Sequence, residues 1–380
     1  MPTVRFLPLA VLPLVLVAET AGCQAGGNRR EFDTSAGRVR LTTVVSGLEH
    51  PWSVAFLPDG GMLVTERPGR LRLIGAGGRL GEPIAGVPEV FSSGQGGLLD
   101  VTLDPAFTEN RRIYLSYAEP GAAGAGTAVV RGRLGEGRLE DVSVIFRQRP
   151  KVGGGNHFGS RLVFARDGML FVTLGERNQR DRAQSLADHL GTVVRIAPDG
   201  SVPKDNPFVG REGALPEIWS YGHRNIQGAA LHPETGRLWT VEHGPRGGDE
   251  VNIPAAGRNH GWPVIGYGRH YSGAKIGEGT RKEGMEQPVH YWDPSIATSG
   301  LAFYTGDVMP AWRGSLFVGG LAARLVSRLE LNGAKVVREE RLFEDFGRRI
   351  RDLRQGPDGK LYLLTDEGNG ELLRVDPVAP

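Results

Sequence analysis

Residues 54–65 have the sequence VAFLPDGGMLVT, in which two short apolar runs flank the turn Pro58-Asp59-Gly60. Asp-Gly is a favoured tight-turn dipeptide, and β-rich runs on both sides of such a turn are typical of a β-hairpin. The stretch therefore predicts two antiparallel strands joined by a short loop.

Five further segments follow the same plan of an apolar run, a turn containing Pro, Asp or Gly, and a second β-rich run. They cover residues 101–116, 162–173, 230–241, 301–318 and 353–364. A hairpin alone cannot bury its apolar face, whereas sheets packed radially can, and a closed ring leaves few free edges. We therefore predict an all-β protein, a six-bladed β-propeller. Two β-sandwiches are the alternative, but the motif recurs along the whole chain without a linker.

The N-terminus predicts export. Arg5 precedes an apolar run over residues 6–18 that is too short and too broken by proline to span a bilayer. The only cysteine, Cys23, ends the string TAGC, which resembles a bacterial lipobox. We expect a signal peptide over residues 1–22, a tether over residues 23–37 and a single propeller domain over residues 38–380. We therefore expect a periplasmic or envelope-anchored lipoprotein, with plain cleavage near Cys23 as the alternative to lipidation.

The charge balance argues against a nucleic-acid partner. The chain has 45 Lys and Arg against 43 Asp and Glu, a formal net charge of +2, and no long run of one sign. Nucleic-acid binders need a concentrated basic surface. No apolar seam stands out either, so we expect a monomer.

Glycine-rich polar strings precede two of the hairpins. Gln95 lies in GQGGLL, residues 94–99, and His157 lies in GGGNHFGSR, residues 153–161. Histidine has the proton affinity that suits a general base near neutral pH. His157 is therefore a candidate base, with a surface or core histidine as the alternative. For Gln95 the alternative is a tight turn that merely needs the glycines.

Arg349 and Arg351 lie just before the sixth hairpin. Two residues in a strand separated by one position point to the same side. Paired guanidinium groups bind carboxylates or phosphates through forked hydrogen bonds, although solvated arginines are the default for such a pair.

The string EHGPRGGDE, residues 242–250, suits a hard cation. Asp249, Glu250 and the backbone carbonyls around Gly244 and Pro245 supply oxygen ligands of the kind that calcium takes. The spacing of histidines and acids matches none of the usual zinc signatures. A solvated acidic turn is the alternative.

Several strings together carry a family resemblance. They are DGSVPKDNPF at 199–208, GHRN at 222–225, Gly244-Pro245 with Asp249-Glu250, and NHGWP at 259–263. In order and along nearly the whole mature chain, they resemble the soluble quinoprotein glucose/sorbosone dehydrogenase family, in particular bacterial aldose sugar dehydrogenases. The resemblance implies a six-bladed propeller with pyrroloquinoline quinone (PQQ) and calcium at its mouth, in agreement with the repeat count.

The resemblance also implies roles for individual residues. His157 falls at the position of the general base that takes the proton of the anomeric hydroxyl while hydride passes to the quinone, and we place Arg224 in the catalytic set with it. Gly244 and Pro245 fall where backbone carbonyls hold the cofactor's calcium, and Glu250 with the carbonyl of His260 corresponds to a second, structural calcium site. The positions of cofactor contacts are Gln95, Arg224, Asn225, Ser295, Arg349 and Arg351.

The activity that the resemblance implies is oxidation of aldose sugars at C1 to lactones, with electrons passed to an external acceptor. One position departs from the family, because Ala322 stands where a cofactor-binding lysine is common, with Arg324 nearby. Two other classes stay open. A calcium-dependent propeller lactonase needs carboxylate and asparagine ligands converging on the axis, and a non-catalytic binding propeller needs no cofactor.

Overall fold

The computed structural model describes Met1 and residues 30–378. The predicted signal peptide and Cys23 lie outside the described residues, so export and lipidation stay predictions. Within residues 30–378, no helix is long and apolar enough to cross a membrane.

The chain folds into six antiparallel sheets. The first described strands are β1 (Glu31–Thr34) and β2 (Gly37–Leu48). Blade 1 follows with β3 (Pro51–Phe56), β4 (Met62–Glu66), β5 (Arg70–Ile74) and β6 (Leu80–Pro83). Blade 2 contains β7 (Leu98–Leu103), β8 (Arg112–Gly121), β9 (Gly124–Leu134) and β10 (Leu139–Arg147). Blade 3 contains β11 (Gly159–Phe164), β12 (Leu170–Leu174), β13 (Thr192–Ile196) and β14 (Ile218–Tyr221).

The later blades repeat this order. Blade 4 contains β15 (Ile226–Leu231), β16 (Leu238–Glu242), β17 (Asp249–Asn252) and β18 (His290–Trp292). Blade 5 contains β19 (Thr298–Phe303), β20 (Leu316–Gly320), β21 (Leu325–Asn332) and β22 (Lys335–Leu342). Blade 6 starts with β23 (Ile350–Gln355), β24 (Leu361–Thr365) and β25 (Gly370–Pro377). One short helix, α1 (Phe107–Asn110), and three 3₁₀ turns at Arg180–Gln184, Pro310–Trp312 and Glu344–Phe346 complete the described elements.

The two ends of the chain close the ring within blade 6. Strand β2 pairs with β25, with Val39 opposite Pro377 and Leu48 opposite Gly370, so this sheet has five strands in the order β1-β2-β25-β24-β23. The predicted tether over residues 23–37 is therefore wrong in its last part, because Glu31–Thr34 pairs with β2 as an outer strand. Its apolar residue Phe32 packs edge-on against Phe343, which gives this polar segment its anchor.

The first strands of the six blades line the ring axis, and each contacts the first strand of the next blade, including β23 with β3. A separate apolar cluster fills each gap between neighbouring blades. The second strands of five blades are buried along their whole length, and in blade 2 strand β8 is buried from Ile113 to Ala118. The prediction of an all-β six-bladed propeller is confirmed, and the alternative of two sandwiches is wrong.

Candidate active site

The predicted site residues meet at one edge of the ring, which we call the mouth. In an antiparallel hairpin, the start of the first strand and the end of the second lie side by side. Gln95, His157, Asn225 and Ser295 precede first strands, and Gly244 follows a second strand, so all lie at this edge. The hairpin plan thus brings together residues that are far apart in the sequence.

His157 is buried and firmly held. Its backbone N–H donates to Gln95 Oε1 at 2.8 Å, and its ring Nδ1 lies 2.7 Å from Glu176 Oε2. Its backbone φ is +58°, a left-handed conformation that residues other than glycine rarely adopt. Such backbone strain persists only where the surrounding structure enforces it, and it is common at functional sites.

Glu176 determines the tautomer of His157. Because an ionised carboxylate only accepts hydrogen bonds, Nδ1 carries the proton and donates it to Glu176. Nε2 is then the ring atom with a free lone pair. Burial lowers the pKa of His157, an effect that Glu176 opposes and Arg224 reinforces. The imidazole is therefore neutral at pH 7 and able to accept a proton.

Three arginines, Arg67, Arg349 and Arg351, surround one carboxylate at the mouth, and a fourth, Arg224, lies at the same edge of the ring. Arg351 donates to Asp366 at 2.7 Å and Arg349 at 3.4 Å. Burial alone would raise the pKa of Asp366. The positive charges of Arg351, Arg67 and Arg349 outweigh that effect and hold this pKa far below its ordinary value. Arg224 stacks over Trp262 and donates to the carbonyl of His243.

His243 shows that His157, Arg224 and Arg351 share one site. Burial, together with the fields of Arg224, Arg351 and His157, lowers the pKa of His243 to about 3. Each of these groups must therefore lie within electrostatic reach of the same ring. The structure thus brings together the predicted base and two of the predicted cofactor-binding arginines.

The remaining predicted cofactor contacts are also at the mouth. Asn225 is fully buried, and its Oδ1 accepts the N–H of Gly159 at 3.2 Å. Ser295 hydrogen-bonds to the buried carboxyl of Asp249, which also accepts the N–H of Gly244 at 2.9 Å. Ser295 is thus tied to the predicted metal-binding turn.

The residues predicted for two calcium sites, Gly244 and Pro245 for the cofactor's calcium and Glu250 with His260 for the structural one, line a single cavity of about 20 Å³. The turn beginning at Gly244 is tight, because a Cβ there would lie 2.2 Å from the carbonyl oxygen of Gly247. The volume accommodates a single water-sized sphere. Its size therefore suits one ion and no larger group.

Two buried carboxyl groups, those of Glu242 and Glu250, lie beside this cavity. Loss of hydration, with the neighbouring Glu242, raises the pKa of Glu250 to about 8. Glu242 is itself held by His223 at 2.9 Å and by the N–H of Arg224 at 2.6 Å. In the described part of the chain, no group of three or more His, Cys, Asp and Glu side chains is placed to hold a metal. A cation here would rely on backbone carbonyls as well as Glu250.

The comparisons with known proteins agree with this geometry. The model of the family described as Glucose / Sorbosone dehydrogenase matches residues 48–374. The chain belongs to this family. The aldose sugar dehydrogenase YliI of Escherichia coli (strain K12) is 52% identical to it over 345 residues, which cover 89% of this chain and 93% of the relative. The predicted family and the prediction of an enzyme are confirmed.

Solved structures of the family have the same fold. The soluble aldose sugar dehydrogenase from Escherichia coli in the apo-form is 51% identical, with a TM-score of 0.88 over 90% of this chain and 100% of the other. The PQQ-bound form of an aldose sugar dehydrogenase from Streptomyces coelicolor is 29% identical, with a TM-score of 0.74 over 89% of this chain and 97% of the other.

In this member of the family, the loop after β20 carries Ala322 and Arg324, and both are exposed. Arg324 donates to the carbonyl of Gly347 at 3.3 Å, and Arg349 donates to the carbonyl of Leu321 at 3.2 Å. Arg324 therefore joins the loop that leads to the predicted cofactor arginines.

The axis below the mouth does not suit the lactonase alternative. That activity needs carboxylates converging on a cation, but the axial acids Asp100 and Asp352 bind guanidinium groups instead. Arg161 lies 3.3 Å from Asp100 and 2.9 Å from Asp352, and Arg354 contacts both acids at 3.1 Å. These carboxylates are already neutralised by the protein's own cations.

Three residues at the mouth were not predicted from the sequence: Arg67, Glu176 and Asp366. Arg67 directly follows β4 and Asp366 directly follows β24. Glu176 lies two residues after the end of β12. An acid at this place recurs in four blades, as Glu66, Glu176, Glu242 and Asp366. This recurrence is the sequence signal that would have found the acids.

Proposed function

We propose that the protein is a PQQ- and calcium-dependent dehydrogenase that oxidises aldose sugars at C1 to lactones and passes the electrons to an external acceptor. The observation that carries the proposal is the pairing of His157 with Glu176 beside the arginines of the mouth. A neutral, oriented base next to an excess of positive charge suits removal of a proton at an anionic redox group.

The mouth fits an anionic cofactor such as PQQ, which carries three carboxylates. Arg67, Arg349 and Arg351 share Asp366 as the carboxylate that balances them, and Arg224 adds a further positive charge near His157. Within the described residues, Asn225 Nδ2, Thr298 Oγ1 and Arg351 Nε are buried without a hydrogen-bond partner. Buried polar atoms normally have partners, so these support a polar ligand that satisfies them.

The cavity beside Gly244 fits calcium. Among the backbone hydrogen bonds of turns and loops over residues 30–378, none has the carbonyl oxygen of Gly244 or Pro245 as its acceptor. Calcium takes oxygen ligands from carbonyls and carboxylates, and Gly244, Pro245 and Glu250 line a space of ionic size. A cation there would also offset the repulsion between Glu242 and Glu250.

The protein's own residues then have distinct tasks in the reaction. The arginines bind and orient the carboxylates of the cofactor through forked hydrogen bonds. His157 Nε2 takes the proton of the C1 hydroxyl, and Glu176 stabilises the imidazolium that forms. The quinone, when bound, supplies the acceptor for the hydrogen and electron pair that leave C1.

Reconstitution tests the proposed function. We expect purified apo-protein to reduce an artificial dye in the presence of an aldose only after both PQQ and Ca²⁺ are added, and chelation of Ca²⁺ to abolish the activity. The measurement is dye reduction against the concentration of each component, with lactone formed in equal amount. Sugar oxidation without PQQ, or hydrolysis of a lactone by the apo-protein, would contradict the proposal.

We expect Glu176→Gln to change the pH dependence of the reaction. Glu176 raises the pKa of His157, so its removal lowers that pKa further. Because the base works in its neutral form, the fall of kcat/KM on the acid side should move to lower pH, and kcat should fall roughly tenfold from lost orientation. Glu66→Gln is the matched control, since Glu66 binds the N–H of Glu49 at 2.6 Å at the same place in blade 1. An unmoved acid limb in the Glu176 variant would count against this role.

A further inference from the structure

Gln227 lies in β15 directly beneath the mouth, with only 7% of its surface exposed. Its side chain joins two of the residues that line the mouth. Arg351 Nη1 donates to Gln227 Oε1 at 3.0 Å, and Gln227 Nε2 donates to Asn225 Oδ1 at 3.2 Å. Its backbone carbonyl accepts from Arg161 Nε at 2.7 Å, which anchors it to the axis. Gln227 thus connects the axial charges to the mouth.

The direction of each hydrogen bond in this chain is fixed from both ends. At one end, the backbone N–H of Gly159 donates at 3.2 Å, so the Asn225 atom that it meets must be the oxygen. At the other end, arginine has donors only, so the Gln227 atom facing Arg351 must also be the oxygen. Gln227 therefore directs its amide nitrogen towards Asn225. Rotating either side-chain amide by 180° would place a donor against a donor or an acceptor against an acceptor.

This fixed direction leaves specific donors unused. Asn225 Oδ1 is occupied by two donors, and Asn225 Nδ2 is buried with no partner within the described residues. Arg351 Nη1 and Nη2 are occupied by Gln227 and Asp366, and its Nε is likewise buried and unpartnered. The two residues thus each keep one buried donor for an acceptor that the protein itself does not supply.

We infer that Gln227 is a positioning residue, which sets the pattern of donors that Asn225 and Arg351 offer to the oxygens of an anionic quinone. The inference rests on the proposed function. Gln227 itself has no unpaired polar atom among those found buried in the described part, so its contribution acts through its two neighbours.

The test measures the affinity of the calcium-loaded apo-protein for PQQ by titration, without turnover, in two variants. Gln227→Leu removes both hydrogen bonds. Gln227→Glu keeps an acceptor for Arg351 but cannot donate to Asn225, and it adds a negative charge beneath the site. We expect each to raise the Kd about tenfold or more, since hydrogen bonds to charged groups are strong.

Gln148→Leu is the matched control. Gln148 is 2% exposed and also bridges two groups, accepting from the N–H of Thr127 and donating to the carbonyl of Pro150. It has no contact with Asn225 or Arg351 among these bonds. Thermal melting of all variants shows how much of any loss comes from general destabilisation, and we expect the control to keep its Kd within about twofold.

A third measurement separates positioning from a structural role. In the background Asn225→Ala with Arg351→Met, the further change Gln227→Leu should alter the Kd by less than about twofold, because residues that act through one another are not additive. Equal Kd values for wild type and both single variants would overturn the inference, as would a full loss that persists in this background. If wild-type protein itself fails to bind PQQ, the proposed function falls and the inference falls with it. Tight wild-type binding with unchanged variants overturns the inference alone.

Discussion

Replacing His157 with asparagine should lower kcat by about 10²–10⁴-fold while leaving PQQ binding nearly unchanged. A general base typically contributes this factor, and asparagine cannot take up the proton. Asparagine is the informative choice because the φ of His157 is +58°, a conformation that asparagine tolerates better than most residues. The bond from its backbone N–H to Gln95 is also retained. The measurement is steady-state dye reduction together with direct titration of the quinone.

A matched histidine exists on the opposite edge of the ring. His232 lies in the turn between β15 and β16, where it accepts the backbone N–H of Glu234 at 3.3 Å. His232→Asn makes the same chemical change away from the mouth, so kcat should stay within about twofold. Sugar oxidation that proceeds undiminished in His157→Asn would show that another group removes the proton.

The fold could be predicted because each hairpin has its own sequence signal within about twelve to eighteen consecutive residues. A turn such as Leu57-Pro58-Asp59-Gly60 has hydrogen bonds within a few residues, including Gly60 N–H to the carbonyl of Leu57 at 3.0 Å. Ring closure gives no such local signal. Pairing of β2 with β25 joins the two ends of the domain, and the short outer strand β1 has only Phe32 to mark it. A tether was therefore predicted where a strand forms.

The site was predictable where its residues lie in unusual strings and not where they lie in ordinary strands. The strings around His157 and Gly244 are rich in glycine, because close backbone approach is needed there. At Gly175, for example, a Cβ would lie 2.1 Å from the carbonyl oxygen of His157. Asp366, by contrast, is one acid after an ordinary strand. Its role depends on Arg349 and Arg351 across the hairpin of blade 6 and on Arg67 of blade 1, which only the closed ring brings near.

The axis below the mouth shows a further limit, since its buried charges were not predicted. Arg161 is 1% exposed, and Asp100 and Asp352 are fully buried. Nothing in the string GGGNHFGSR predicts that its last residue, Arg161, is buried. A fully buried arginine is stable only when carboxylates from other blades surround it, and such pairing cannot be read from one strand.

Arg161→Met should destabilise the protein by about 3–5 kcal/mol, because it removes one partner of a buried charge network and leaves two carboxylates behind. Arg354 still contacts both acids, which keeps the loss finite. The guanidinium also lies 4.1 Å over the ring of Trp52, and that contact is lost as well. For a domain of this size, about 2–4 °C per kcal/mol gives a fall in Tm of roughly 10 °C. Thermal and urea unfolding measure the change.

The charge on the two carboxylates, and not the volume of the side chain, should dominate this loss. Methionine fills much of the space of arginine, so adding Asp100→Asn and Asp352→Asn to Arg161→Met should restore part of the stability by removing the uncompensated charges. Arg166→Met is the control, since Arg166 is exposed in the turn of the same blade and donates to the carbonyl of Glu234. It should shift the free energy of unfolding by less than about 1 kcal/mol. A melting temperature of Arg161→Met equal to that of the control would show that the axial ion pairs contribute little to the closed ring.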